Sequence, residues 1–150
     1  MRRGVVYTCF VLLIATISVS SSFGGDSLWG KITSVPGPDI VVLDYGHGSV
    51  NVRLPGVAVP AEFAEKARQF VSHLVLNKNA RMRFEYRDED GNFVGELLTD
   101  EPGADTRDVG LELIELGFAS RLDNFDDKYG DYAAAEIEAR KERRGMWAGQ

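Results

Sequence analysis

The sequence predicts an α+β domain, a five-stranded β-barrel with three helices in the order β-β-β-α-β-β-α-α. Three observations predict it. Short β-branched segments separated by Gly, Pro and Asp turns fill the first half of the domain. A single apolar stripe at helical spacing interrupts them after the third segment. Two further helical stretches close the chain.

The first strand runs from Leu28 to Val35 and is broken by Pro36-Gly37-Pro38. Ile40-Val41-Val42-Leu43 forms the second, and Gly46-His47-Gly48 turns it into the third, Val50 to Leu54, whose side chains alternate in character. Pro60 then opens a helix in which Phe63, Ala67, Phe70, Val71, Leu74 and Val75 recur at 3.6-residue spacing, so one face is buried. The fourth and fifth strands, Arg81 to Tyr86 and Phe93 to Leu98, flank the turn Asp88-Glu89-Asp90-Gly91-Asn92. After an acidic loop, Thr99 to Asp105, either Asp105 or Thr106 caps a helix bearing Val109, Leu113 and Leu116 and stopping at Gly117. The last helix spans Asp131 to Arg144; its basic end suits the negative pole of the helix dipole. Five strands with a helix between the third and fourth is the arrangement of an OB-fold barrel.

Ahead of this domain stand Met1-Arg2-Arg3, an apolar run from Val5 to Val19, and Ser20-Ser21-Ser22. A basic start, a short apolar stretch and small residues suited to cleavage form the pattern of an export signal over residues 1–22. The run is shorter than the roughly 20 residues of a spanning helix. An uncleaved anchor over residues 5–20 is the other reading of this segment. The expected organisation is a leader at 1–22, a linker at 23–27 and one domain at 28–148, periplasmic or extracellular.

The 150-residue chain carries 17 basic and 23 acidic residues, a formal charge of −6. Loss of residues 1–22 takes away Arg2, Arg3 and the only cysteine, Cys9, leaving a charge of −8. A chain this acidic lacks the positive field that draws nucleic acid to its binders. His47 sits in a hairpin and His73 on a helix, with no paired spacing and no cysteine to suggest zinc. Both are expected at the surface. Phe23, Trp29, Tyr45, Phe84, Tyr86 and Phe93 are expected mostly in the core.

Three segments resemble the staphylococcal-nuclease-like (thermonuclease) family. Val52-Arg53-Leu54-Pro55-Gly56-Val57 followed by Pro60 is similar to its VRLxGIDxPE segment. Asp90 to Gly95 is similar to its turn before the fifth strand, and Tyr132 through Trp147 to its Y-x-x-A-E-x-x-A-R…G-[LI]-W signature. The resemblance covers about residues 28–148 and implies the same OB-fold barrel. It also implies calcium-dependent phosphodiester hydrolysis: carboxylates hold the ion, a glutamate activates water, and two arginines hold the phosphate.

Carried onto this chain, that chemistry is depleted. Pro38 stands where a metal-binding aspartate is expected, Ala58 replaces a second aspartate, Ala61 the glutamate, and Asn92 the second arginine; Arg53 alone is retained. A missing general base costs about 10²–10⁴ in rate and a missing donor about 10²–10³. The expectation is therefore no assigned catalytic residue, no metal and no cofactor, in a domain that binds a protein or extended ligand in the groove of the barrel. The alternative is an endonuclease with displaced calcium ligands, Asp39 and Glu62, working with Arg53. Each of the three has a simpler role: Asp39 as a turn residue, Glu62 as an acid in a first helical turn, and Arg53 as the partner of a carboxylate at the barrel mouth.

Overall fold

The computed structural model describes residues 27–99, 105–128 and 130–149. The expected leader, nearly all of the linker with Phe23, and most of the acidic loop lie outside the described residues. Among the described residues no helix is long and apolar enough to cross a membrane.

Five strands carry the architecture: β1 (Ser27–Ser34), β2 (Ile40–Asp44), β3 (Ser49–Arg53), β5 (Asn79–Arg87) and β6 (Phe93–Thr99). Three two-residue strands supplement them: β4 (Val57–Ala58), β7 (Arg107–Asp108) and β8 (Ser120–Arg121). The helices are α1 (Ala64–Val75), α2 (Val109–Glu115) and α3 (Asp131–Lys141). The main sheet runs β3-β2-β1-β5-β6-β7, and β3 also pairs in parallel with β6 through Val52↔Phe93 and Arg53↔Val94. That last pairing closes the five long strands into a ring, as expected for an OB-type barrel.

Alternation puts Ile32, Val41, Leu43, Val52, Met82 and Leu97 in one fully buried core. The core is sealed by Ala67, Val71 and Val75 of α1 and by Val109, Leu113 and Ile114 of α2. Phe63, Phe70 and Leu74 complete the predicted stripe of α1 as partly buried neighbours or flanking aromatics, with Phe118 in edge contact with Phe70 at 6.0 Å.

Several boundaries differ from the expectation. The segment after Pro60 forms a single 3-10 turn over Ala61–Phe63 before α1 begins. The second helix is capped by neither Asp105 nor Thr106. The chain first pairs Arg107 and Asp108 with Thr99 and Leu98, and the Asp108 carboxylate then accepts from Gly110 N–H at 2.9 Å. Ile114, not Leu116, completes its buried face; Leu116 follows the helix and is exposed. The last helix ends at Lys141 rather than Arg144, because Arg143 takes a left-handed φ of 54° and turns the chain.

The turn after α2 is locked to the C-terminus by two glycines. Gly117 has φ +68°, a Cβ there would lie 2.3 Å from the Arg144 carbonyl oxygen, and its own carbonyl accepts from Met146 N–H at 2.9 Å. Gly145, with φ +51°, faces back: a Cβ there would lie 2.2 Å from the Gly117 carbonyl oxygen.

Candidate functional site

Strand pairing assembles a polar cluster around the retained arginine. Ile40 pairs with Arg53 across β2 and β3, which brings the preceding turn with Asp39 beside it. The parallel pairing of Arg53 with Val94 brings in the β5–β6 turn, with Asp88, Asp90 and Asn92. The backbone ties the first junction, as Leu54 N–H donates to the Asp39 carbonyl at 2.8 Å.

Each of the three guanidinium nitrogens of Arg53 faces a carboxylate. Nε donates to Asp88 Oδ2 at 2.9 Å, one terminal nitrogen pairs with Asp39 Oδ2 at 3.2 Å, and the other lies 3.7 Å from Asp90 Oδ2. The arginine side chain is 34% exposed and that of Asp90 81% exposed, so the third pair is strongly screened. Asp88 also accepts from Asn92 twice, from the backbone N–H at 2.8 Å and from Nδ2 at 2.9 Å. These bonds hold the Asp88 carboxyl below its ordinary range, the Asn92 side chain contributing most and Arg53 less.

Among the described residues Asn92 is one of two buried polar ones, and its bonds to Asp88 satisfy it there. Standing where the resemblance places a second phosphate-binding arginine, it instead braces the carboxylate that occupies the first. Asp39 keeps its turn position and also reaches Arg53. Glu62 does not join them: it is exposed on the 3-10 turn, with no hydrogen bond or ion pair to the cluster among the described residues. Ala61 is exposed on that turn, Ala58 pairs with Ser120 in the small β4–β8 sheet, and Pro38 offers no side-chain donor. His47 and His73 are both exposed, as expected.

The calcium ion implied by the resemblance does not fit these residues. A hard cation of this kind takes six to eight oxygen ligands. Here Asp39 and Asp88 are engaged by a guanidinium, and Ala58, Ala61 and Pro38 supply no side-chain oxygen. Among the described residues, no group of three or more His, Cys, Asp or Glu side chains is arranged to hold a metal.

A second feature was not legible in the residues. An open cavity of about 990 Å³ lies between the outer face of β5–β6 and the segment leading into α3. Phe84 pairs with Gly95 and Tyr86 with Val94, so Glu85 is the extra residue of a β-bulge that projects it there. At the cavity wall the Tyr132 hydroxyl donates to Asp108 Oδ2 at 2.9 Å, and Arg83 pairs with Glu96 at 2.6 Å. Burial pushes the Asp108 carboxyl up, against the bond from Tyr132. Partial burial, then the charges of Glu96 and Asp108, push Glu85 up as well. Burial and the nearby carboxylates raise the Tyr132 phenol. The expectation of mostly buried aromatics fails for Trp29, Tyr45 and Tyr86, which are exposed, and Arg81 stacks over Trp29 at 5.3 Å.

The family model described as "Staphylococcal nuclease homologue" matches residues 49–149. The chain is 26% identical over 114 residues to "Probable endonuclease LCL3" of Verticillium alfalfae, covering 67% of this chain and 39% of that protein. A protein of the same name in Podospora anserina is 26% identical over 140 residues, covering 80% and 48%. "Ribonuclease TUDOR 1" of Arabidopsis thaliana is 32% identical over 91 residues, covering 57% and 9%. The chain thus spans less than half the length of each of these relatives.

Proposed function

The chain belongs to the staphylococcal nuclease homologues, and on that premise we propose that it is an exported member which does not cleave phosphodiesters by calcium chemistry and acts by binding a partner. The observation that carries this proposal is the state of Arg53. Its guanidinium is surrounded by Asp39, Asp88 and Asp90, three carboxylates against one cation. A phosphodiester approaching it meets the carboxylates of Asp88 and Asp39 already on two of its nitrogens and the exposed Asp90 beside the third. The substitutions at Pro38, Ala58, Ala61 and Asn92 act in the same direction, since none supplies a metal ligand, a base or a phosphate clamp. Export is supported by the basic, apolar and small-residue order of the first 22 residues.

The rival is an endonuclease with displaced ligands. The approach of Asp39 to Arg53 favours it, but the same contact satisfies the carboxylate with a cation already in the chain. Supercoiled plasmid incubated with the purified chain and millimolar calcium or magnesium separates the two. The expected result is no nicking above the level of Arg53→Ala. Metal-dependent nicking that disappears in Arg53→Ala would establish the endonuclease instead.

A further inference from the structure

We propose that the groove between the outer face of β5–β6 and the segment before α3 docks a lysine- or arginine-bearing stretch of a partner protein. This names the partner class for the binding role proposed above and rests on it in that respect.

The groove has the size of a ligand site, about 990 Å³, near the upper end of the roughly 300–1,000 Å³ typical of such sites. Its wall carries six carboxylates, Glu85, Glu96, Asp108, Asp126, Asp127 and Asp131, against three cationic side chains, Arg81, Arg83 and Lys128. Several of these acids already have partners within the chain. Glu96 pairs with Arg83, Asp108 accepts from Tyr132, and Asp127 caps α3 by accepting from Ala133 N–H at 2.8 Å. Glu85, Asp126 and Asp131 have no side-chain hydrogen bond or ion pair among the described residues, and Asp126 stands close enough to Glu85 to raise its carboxyl.

The same wall has an apolar component. Tyr86 is 55% exposed and Leu122 40% exposed, and half-buried Phe125 and Leu111 lie with them along the groove. Unpaired carboxylates beside an exposed ring suit a cation on a hydrocarbon stem, which packs its methylenes while its head reaches the acids. A bare divalent ion suits them poorly, because among the described residues no carboxylate group is arranged as a metal cage. A polyanion is excluded by the sign of the wall. The bulge at Glu85 places that acid and the neighbouring Tyr86 ring on the groove together.

The test is fluorescence anisotropy of the purified chain with a short fluorescein-labelled peptide of alternating lysine and leucine. The same peptide with glutamate for lysine serves as the control, and spermine as a competitor lacking apolar side chains. Saturable binding of the lysine peptide alone is expected, weakened about fivefold by Glu85→Gln and again by Tyr86→Ala, and unaltered by Glu62→Gln on the exposed 3-10 turn. No saturable binding, equal weakening by Glu62→Gln, no effect of the groove substitutions, or displacement by spermine at peptide concentrations would overturn the proposal. Plasmid nicking with peptide binding intact would sink the proposed loss of catalysis and leave the groove standing. Silent catalysis without peptide binding would do the reverse.

Discussion

Arg53 Nε and Asp88 Oδ2 lie 2.9 Å apart, and the same carboxylate oxygen accepts from Asn92 Nδ2 at 2.9 Å. One side chain of the β5–β6 turn is thus held from two directions, by the end of β3 and by the last residue of its own turn. The turn is fixed against the barrel, and the guanidinium that resembles a phosphate clamp is fixed with it.

Asn92 lowers the pKa of Asp88 more than Arg53 does. Carboxyl carbon NMR titration is therefore expected to show a larger upward shift of the Asp88 pKa in Asn92→Ala than in Arg53→Ala. A larger shift in Arg53→Ala would mean that the ion pair, and not the turn, organises the cluster.

Tyr132→Phe removes the donor to the mostly buried Asp108 carboxylate. The loss is expected to cost about 1–3 kcal/mol at neutral pH. Because the bond favours the charged form, its removal raises the folded pKa of Asp108 further, and the deficit shrinks as acid protonates that group. Urea unfolding of parent and variant at neutral and acidic pH measures both effects.

Glu85 has a folded pKa raised above its unfolded value. Between those two values the folded state binds more protons, so this group lowers stability as pH rises through its folded pKa. Glu85→Gln is expected to be more stable than the parent at neutral pH, with the difference fading below that pKa. The urea midpoints of the two proteins across this range provide the check; a gap that widens in acid would contradict the assigned environment.

Gly117→Ala places a Cβ 2.3 Å from the Arg144 carbonyl oxygen at φ +68°. The left-handed backbone costs roughly 1–2 kcal/mol and the overlap adds to it, for a total of about 2 kcal/mol or more. Thermal unfolding followed by circular dichroism reads the loss.

The barrel was legible because its signals are local: β-branched alternation at Val41 to Leu43 and Val50 to Val52, and the 3.6-residue stripe of α1. The cap at Asp108 was not, since pairing with β6 outcompeted the nearer Asp105 and Thr106. In the candidate site, the reading of Pro38, Ala58, Ala61 and Asn92 as replacements came from the family resemblance and not from spacing. The partners of Arg53 could not: Asp88 and Asp90 look like ordinary turn residues until the parallel β3–β6 pairing carries them to it. The cavity likewise depends on a bulge at Glu85 and on contacts between distant segments, neither of which leaves a periodic mark.

Titration calorimetry with calcium, in the presence of a nucleoside bisphosphate, tests most directly whether the arginine cluster has closed the metal chemistry. The expected result is no saturable heat up to millimolar ion, in the parent and in Asp39→Asn alike. A saturable calcium isotherm in the parent that is lost in Asp39→Asn would contradict the account.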